Sequence, residues 1–358
     1  MTKKKILVVT DAWRPQINGV VRSLERLGEE LIRLDFEVVF LTPQSYRTLP
    51  CPTYPEIRLA LTTPRSVKRR IREIAPDYIH IATEGPLGVM ARRVAMKRGG
   101  CGFTSSYHTR FPEYVASRWP IVPIRPIRAW LRRFHNAGLG CMVATESLRK
   151  ELVSHGHDNL MFWSRGVDTM QFHPRQDVAD VYADLPRPIF LNVGRVAVEK
   201  NLEAFLALDL PGSKVVIGDG PARADLERRF PTARFLGSKV GEDLARHYAA
   251  ADVFVFPSLT DTFGNVIIEA LASGLPVAAY PVMGPIDILS DTKGGVLSED
   301  LRAAALTALE LDRADAIALG AAYSWDAATR QFIDAIETAQ QRRRAQEAAR
   351  RRFLLSRK

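Results

Sequence analysis

The sequence predicts an α/β protein made of two doubly wound domains, each with a parallel sheet. Short apolar runs rich in β-branched residues alternate with helical patterns along nearly the whole chain. Strands that are apolar throughout and separated by helices are typical of parallel sheets covered on both faces. The alternation starts again near Ile189, and a length of 358 residues suits two domains. Because such sheets bind ligands at the carboxyl ends of their strands, we expect two domains facing across a cleft.

The predicted strands form two series separated by a linker. The linker is Gly166–Pro188, which carries three prolines and several charges. The strands expected before it are Ile6–Thr10, Val38–Thr42, Tyr78–Ala82, Phe103–Tyr107, Met142–Thr145 and Leu160–Trp163. Those expected after it are Ile189–Val193, Val215–Ile217, Val253–Phe256 and Pro276–Tyr280.

The composition excludes several classes of protein. Cys51, Cys101 and Cys141 lie far apart without a CxxC pair, which fits neither a disulfide framework nor a zinc site and favours a reducing cytosol. The apolar run near the N-terminus is too short for a signal sequence. The longest hydrophobic passage, Val266–Ile286, is interrupted by Glu269, Gly274, Pro276 and Pro281, so it predicts a buried helix and strand rather than a membrane span.

The charge is concentrated near the C-terminus. The formal net charge is +10, and residues 341–358 hold eight basic residues against one acidic residue, Glu347. Such a run indicates either a solvated helix end or attraction to an anionic surface, phospholipid or nucleic acid.

The passage from Phe256 to Val277 is the most informative. It predicts a strand, a loop with Asp261 and Gly264, and a helix that begins near Asn265. Free amides and the dipole at a helix start favour a phosphate, and Gly264 lets the backbone approach a ligand. Asp261 and Glu269 can both accept hydrogen bonds from sugar hydroxyls without a metal. The alternative is that Glu269 is only partnered within an apolar helix.

This passage resembles the acidic-x7-acidic signature of glycosyltransferase family 4, retaining enzymes with the GT-B fold. The resemblance implies that Glu269 holds the ribose of the donor nucleotide and that Asp261 contacts the transferred sugar. Asp261 stands where Glu is more usual, and the shorter reach leaves the identity of the sugar open. Phe263, Gly264 and Asn265 belong to the same implied donor site.

A second passage, Asn192–Leu202, is similar to the GR-x3-EKN-L pattern of the family, in which Arg and Lys clamp the donor diphosphate. A departing nucleoside diphosphate gains negative charge, which two preorganised cations, Arg195 and Lys200, would stabilise. Two weaker matches complete the implied donor site. They are the Gly218 turn beside the nucleotide and the loop after Phe235, whose backbone around Lys239 and Val240 would meet the base.

The N-terminal half carries two matches. Gly19 follows the first strand and would let a loop approach donor phosphate or acceptor. The segment Ser106–Tyr114 resembles the SYHT-x-FPEY segment of the family. The resemblance implies that His108 lies near the reacting sugar, where it helps to place the primary hydroxyl and the developing positive charge. Arg110 stands where relatives often have Asp, so recognition of the acceptor can differ.

The resemblance spans about residues 5–340 and predicts the domain organisation. Tyr323–Phe332 resembles the helix with which such enzymes cross back to the N-terminal domain. We therefore expect residues 1–170 to form a Rossmann-like acceptor domain and residues 171–322 a Rossmann-like donor domain. Residues 323–340 would form the crossing helix and 341–358 a basic tail.

We expect transfer that needs neither a metal nor another cofactor. The chain has no Asp-x-Asp pair, the clustered carboxylates that a divalent cation would favour. Arg195, Lys200 and the helix start near Asn265 would replace the cation. We find no strong candidate for a nucleophile or a separate base, which is consistent with front-face attack. The predicted catalytic residues are His108, Arg195, Lys200 and Asp261.

The stretch from Arg110 to Arg133 suggests the acceptor. It holds six arginines against Glu113, interleaved with apolar residues, as a membrane-surface segment requires. The alternative is an ordinary surface helix that packs Trp130 inward. We favour a lipid acceptor and a peripheral protein on the inner face of the plasma membrane. The predicted acceptor or membrane residues are Arg110, Trp119, Arg125, Arg128, Trp130, Arg132 and Arg133.

The sequence leaves several substrates and several classes of protein open. Within the family, the passages look most like bacterial diacylglycerol glycosyltransferases, sulfoquinovosyltransferases and GDP-mannose-dependent mannosyltransferases. We favour transfer of a hexose or hexuronate from a UDP-sugar to diacylglycerol, with a GDP-mannose donor as the alternative. An epimerase or hydrolase on the same fold would need no acceptor. A nucleic-acid binder lacks any recognised motif here, and we expect no nucleic-acid partner. The oligomeric state is open.

Overall fold

The computed structural model describes residues 3–14, 19–51, 54–97, 100–108, 123–259, 261 and 263–355. The chain divides into two compact units, one of Met1–Ser164 with Ala328–Lys358 and the other of Arg165–Ala327. Each unit contains a six-stranded parallel sheet with helices between its strands, so the predicted α/β class with two parallel sheets is confirmed. The compact units divide at Ser164/Arg165 and Ala327/Ala328.

In the first unit the sheet has the order β2-β1-β5-β6-β7-β8, and a two-stranded antiparallel hairpin, β3-β4, lies outside it. Its strands are β1 Lys5–Val9, β2 Glu37–Leu41, β3 Arg47–Cys51, β4 Tyr54–Leu61, β5 Tyr78–Ile81, β6 Thr104–Ser106, β7 Gly140–Val143 and β8 Leu160–Phe162. Its helices are α1 Gly19–Arg33, α2 Pro64–Ile74, α3 Pro86–Ala95, α4 Ile124–His135 and α5 Glu146–Ser154.

The second unit has the strand order β11-β10-β9-β12-β13-β14, again all parallel. Its strands are β9 Ile189–Val193, β10 Ser213–Ile217, β11 Arg234–Phe235, β12 Val253–Phe256, β13 Val277–Ala279 and β14 Gly295–Leu297. Its helices are α6 Leu202–Leu206, α7 Arg223–Arg229, α8 Gly241–Ala250, α9 Asn265–Ala272, α10 Pro285–Leu289, α11 Leu301–Ala308 and α12 Arg313–Ala322, and α13 Trp325–Leu355 begins at its end.

The central strands form because their side chains are apolar on both faces. All five residues of β9 are buried, and so are all four of β12. Helices cover these faces and begin at polar caps where the chain leaves the core. Thr145 accepts a hydrogen bond from Leu148 N at 3.2 Å, and Asp300 accepts one from Ala303 N at 3.0 Å.

The hairpin β3-β4 and the short strands β11 and β14 were not predicted from the sequence. Pro50 and Pro55 lie within the hairpin strands, and prolines argue against a strand because they cannot donate to a ladder. The hairpin tolerates them because it stands outside the parallel sheet. Strand β11 has two residues and β14 three, too few for a recognisable pattern.

Helix α13 continues through much of the stretch that we had predicted as a separate basic tail. Its Phe332 and Ile336 pack in the core cluster of the first unit together with residues of β1. Further along, Arg343 donates to the carbonyl oxygen of Gly100 and, at 2.8 Å, to Glu347. Part of the basic run is therefore bound to the first unit as a helix. No helix within the described ranges combines the length and apolarity needed to cross a bilayer.

A buried histidine lies at the centre of the first sheet. His80 on β5 has no solvent exposure, and its two ring nitrogens lie 3.0 Å from Thr104 Oγ1 and 2.9 Å from Ser106 Oγ. Its ring also packs edge-on against Phe332 at 4.9 Å between centroids. Burial lowers the pKa of His80 to about 3, so the folded protein holds it neutral.

Acidification is therefore expected to destabilise the protein through His80. Between pH 6.5 and 3 the unfolded chain protonates this ring and the folded chain does not, so stability falls as the pH falls. Between pH 7 and 5, wild type should lose about 2 kcal/mol more unfolding free energy than His80→Gln, as urea titration would measure. Equal losses in the two proteins would contradict this assignment.

Candidate functional site

The second sheet has a topological switch point between β9 and β12. Successive strands run outward in one direction from β9 and in the other from β12, and ligands of such sheets bind at the carboxyl ends beside this point. The backbone ladder between the two strands pairs only Phe190 with Val253 and Leu191 with Phe254. Beyond it, the buried Asn192 donates its side-chain amide to Val255 O at 2.9 Å. The strand ends diverge there, and the loops that follow them lie next to the switch point.

Lys200 and Asp261 come from these two loops and meet across the switch point. Lys200 ends a short 3-10 turn, Val198–Lys200, after β9, and Asp261 follows β12. The ammonium of Lys200 lies 2.7 Å from each carboxylate oxygen of Asp261, with 31% and 22% of the two side chains exposed. Next to Lys200, Asn201 donates to Pro257 O at 3.1 Å. These contacts join the two loops and hold one positive and one negative group at the expected ligand position.

Backbone hydrogen bonds join the loops after β9, β10 and β11. Gly194 N donates to Ile217 O, and Gly218 N donates to Gly237 O, each at 2.9 Å. A Cβ at Gly218, whose φ is 143°, would overlap the carbonyl oxygen of Gly194. Gly218 therefore allows two loops to pack backbone to backbone.

The loop before α9 depends on two glycines. Gly264 has a φ of 88° and directly precedes the helix, which begins at Asn265 as predicted. Gly284, with a φ of 93°, packs so closely that a Cβ would lie 2.9 Å from Phe263 O. Phe263 is buried and its ring packs edge-on against Tyr323 at 6.0 Å between centroids. The amides at the start of α9 are thereby held beside Asp261.

Glu269 projects from the second turn of α9 and accepts a hydrogen bond from the hydroxyl of Tyr248 at 3.0 Å. Tyr248 lies on α8 and has no solvent exposure. Burial, and to a lesser extent the negative charge of Glu269, raises the pKa of Tyr248 well above its ordinary value. Glu269 thus has a hydrogen-bond partner on another helix.

Other predicted donor residues lie on the loops of this sheet without joining the Lys200–Asp261 pair. The side chain of Arg195 is 66% exposed and forms an ion pair with Glu199 at 3.7 Å. Lys239 forms an ion pair with Asp243 at 2.9 Å. Val240 is 76% exposed and directly precedes α8.

The predicted site residues of the first unit lie in different parts of its chain. His108 packs edge-on against Trp163, with 5.6 Å between ring centroids, and Trp163 packs in turn against Phe332. Gly19 is the first residue of α1, and a Cβ there would meet no atom within 4 Å. Arg110 and Trp119 lie outside the described residues.

Helix α4 carries the other predicted acceptor residues. It buries Leu131 and Phe134 against the domain, while Trp130 is 43% exposed. The Trp130 ring packs against buried Phe134, with 5.8 Å between ring centroids, and the rest of it is exposed. Arg125, Arg132 and Arg133 are exposed, and none of them forms an ion pair with an acidic side chain in the described part of the chain; Arg128 is half-buried.

Sequence reasoning missed Asn192, Asn201, Gly284 and Tyr248. Asn192 interrupts an otherwise apolar strand, and Asn201 has a φ of 53°, which asparagine tolerates better than most residues. The asparagine within an apolar strand was a readable signal for Asn192, whereas the backbone conformation of Asn201 is seen only in the structure. The role of Tyr248 had no such signal, because it depends on a contact between two helices. Among described residues, no three His, Cys, Asp or Glu side chains are grouped closely enough to hold a metal ion.

Comparison with known proteins defines the class as a glycosyltransferase. Residues 17–171 match the model described as Glycosyltransferase Family 4, and residues 187–311 match that of glycosyl transferases group 1. The chain belongs to glycosyltransferase family 4. It is 31% identical over 304 residues to sulfoquinovosyl transferase SQD2 of Arabidopsis thaliana, covering 79% of this chain and 59% of that protein's length.

Further relatives cover more of their own length. A GDP-mannose-dependent alpha-mannosyltransferase of Mycobacterium tuberculosis is 31% identical over 315 residues, 82% of this chain and 83% of the relative. The alpha-monoglucosyldiacylglycerol synthase of Streptococcus pneumoniae is 25% identical over 345 residues, 85% of this chain and 78% of the relative. The crystal structure of Anabaena HepE in complex with UDP is similar with a TM-score of 0.70 at 16% identity, covering 93% of this chain and 100% of that one. This likeness agrees with the GT-B fold.

Proposed function

We propose that this protein is a retaining, metal-independent glycosyltransferase that moves a hexose or hexuronate from a UDP-sugar to a lipid acceptor such as diacylglycerol at the inner face of the plasma membrane. The observation that carries the proposal is the ion pair of Lys200 and Asp261. It lies at the switch point of the second sheet, where a ligand of such a sheet binds. The same loop leads into the helix start at Asn265.

Each member of this arrangement has a part in the transfer. Lys200 supplies positive charge to the departing diphosphate, and Asp261 holds its ammonium in place and accepts from hydroxyls of the sugar. The amides at the start of α9 add a second source of positive potential. Arg195 lies on the same loop as Lys200. Its exposed side chain is long enough to contact a bound anion.

The proton balance needs no separate protein base. As the bond between the anomeric carbon and the diphosphate breaks, the acceptor hydroxyl forms the new bond on the same face. Its proton passes to the departing phosphate oxygen. His108, held against Trp163, would place the primary hydroxyl of the sugar. Because attack and departure share one face, the configuration of the donor is retained.

The lipid acceptor is supported by helix α4 and by one relative. Exposed arginines on a helix that buries its other face fit an anionic membrane surface. The relative from Streptococcus pneumoniae is named for the synthesis of a glucosyldiacylglycerol. A GDP-mannose donor is the second candidate, favoured by the mycobacterial relative that matches over 83% of its length.

The function is tested by offering radiolabelled UDP-glucose, UDP-glucuronate and GDP-mannose, each with diacylglycerol liposomes. A labelled, organic-extractable product from one of the UDP-sugars is the expected result. Product from GDP-mannose alone would favour the second candidate. Donor conversion that is equally fast without diacylglycerol would instead indicate a hydrolase or epimerase and would refute the proposal.

Neutralising the exposed arginines of α4 is expected to weaken membrane binding. The triple variant Arg125→Gln, Arg132→Gln and Arg133→Gln removes three positive charges from one surface, each worth about 1 kcal/mol at an anionic membrane. Binding to vesicles of phosphatidylglycerol, measured by cosedimentation, should fall at least tenfold. The control variant Arg228→Gln, Arg229→Gln and Arg234→Gln changes the net charge equally in the second unit and should bind as wild type does. Equal losses in both variants would refute a specific role for α4.

A further inference from the structure

A buried phenol contacts Glu269, the carboxylate that, by the family resemblance, holds the donor ribose. Tyr248 is near the end of α8 and has no solvent exposure. Its hydroxyl lies 3.0 Å from Glu269 Oε2 and 3.5 Å from Val266 O. The hydroxyl thus reaches across from one helix to the first turns of another.

The ring of Tyr248 is held by other aromatic side chains. Phe172 packs edge-on against it at 5.6 Å between centroids, and Phe254 on β12 packs at 5.8 Å with a tilt of 45°. Because the ring is enclosed on these sides, the hydroxyl has a fixed position. Glu269 itself is only partly buried, so its carboxylate has greater freedom than the phenol that contacts it.

The direction of the hydrogen bond follows from the chemistry of the two groups. Burial raises the pKa of Tyr248, so the phenol keeps its proton and donates a hydrogen bond to the carboxylate. An ionised carboxylate offers about four acceptor positions, so it can accept from Tyr248 and from other donors at the same time. Vicinal hydroxyls can be among those donors.

We propose that Tyr248 is a positioning residue that orients Glu269 and thereby sets the discrimination between ribose and deoxyribose nucleotides. The inference rests on the proposed function together with the family resemblance, by which Glu269 holds the ribose. A hydrogen bond from a rigid donor selects one rotamer of a flexible carboxylate, and the geometry of that rotamer decides how well a ribose diol is bound. No contact between Tyr248 and the nucleotide is required.

The test compares the affinities of UDP and 2′-deoxy-UDP by calorimetry, with GDP and 2′-deoxy-GDP in parallel. Tyr248→Phe removes the hydroxyl and keeps the ring. Wild type should prefer the ribose form, and Tyr248→Phe should lower this preference about fivefold, mainly through weaker binding of the ribose form. In a Glu269→Gln background, Tyr248→Phe should cause no further loss of preference. Thermal unfolding of each variant checks that it is folded.

Tyr182→Phe is the matched control. Tyr182 is also buried in the second unit, and its hydroxyl lies 3.0 Å from His247 Nδ1. Its loss should leave the preference unchanged. An unchanged preference in Tyr248→Phe, an equal weakening of both forms, or a further loss in the double variant would overturn the inference.

The test also covers a variant that does not fold and a wild-type protein that binds no nucleotide. If Tyr248→Phe does not fold, Glu269→Asp withdraws the carboxylate from the phenol and should lower the same preference; a retained preference would overturn the inference. If wild type binds neither UDP nor GDP, the proposed function fails, and the inference that rests on it fails with it. Nucleotide binding with no response to Tyr248→Phe overturns the positioning role alone.

Discussion

Replacing Lys200 with alanine is expected to lower kcat/KM for the donor about a thousandfold. The change removes the ammonium that lies 2.7 Å from both oxygens of Asp261 and leaves that carboxylate beside the departing diphosphate. Loss of one preorganised group that stabilises developing charge costs about 100- to 1000-fold in rate, and the uncompensated negative charge adds to it. Initial rates of sugar transfer at subsaturating donor would measure the effect.

Two further variants test whether the loss of kcat/KM comes from the ammonium of Lys200. Lys150→Ala removes a positive charge from an exposed position on α5 and should leave kcat/KM within about twofold of wild type. Asp261→Asn keeps the ammonium of Lys200, so it should be less damaging than Lys200→Ala. If Lys200→Ala retains more than a tenth of wild-type kcat/KM, the ammonium does not stabilise the leaving group, and the central assignment of the donor site is wrong.

Replacing Gly218 with alanine is expected to lower the unfolding free energy by about 3 kcal/mol. The added Cβ would overlap the carbonyl oxygen of Gly194, and the φ of 143° is unfavourable for any residue with a side chain. To relieve the overlap, the loops after β9 and β10 must separate and weaken their backbone hydrogen bonds. Urea titration of the second unit's transition would measure the loss.

Gly19→Ala is the control for this stability prediction. At Gly19 the added Cβ meets nothing within 4 Å, and the residue begins a helix, where alanine is the better helix former. Stability should therefore stay the same or rise slightly. An unfolding free energy for Gly218→Ala within about 0.5 kcal/mol of wild type would show that the two loops are not held together as the structure describes.

Much of the fold was readable from local patterns. Two of the predicted strands, Ile189–Val193 and Val253–Phe256, match the observed bounds, since fully apolar runs between helices have one stable place in an α/β protein. The start of α9 at Asn265 was predicted as well, because a glycine followed by a helical pattern marks a helix boundary within a few residues. The family was likewise identified from short motifs on the loops after the strands.

Contacts between distant residues could not be read in this way. Lys200 and Asp261 are 61 residues apart, and Tyr248 and Glu269 lie 21 residues apart on different helices. The hairpin of β3 and β4 also escaped prediction, since its prolines oppose a strand in isolation and only its position outside the sheet permits them.

The difference between the features that the sequence predicted and those that only the folded structure revealed has one physical cause. Periodicity, turn residues and capping residues act over a few neighbours in the chain, so the sequence was sufficient for the elements, the class and the loops that carry the charged groups. Which strand lies beside which depends on the packing of the whole sheet. The order that places β9 next to β12 brings Lys200 to Asp261, and the packing of α8 against α9 brings Tyr248 to Glu269. The geometry of the candidate site therefore appeared only with the folded chain.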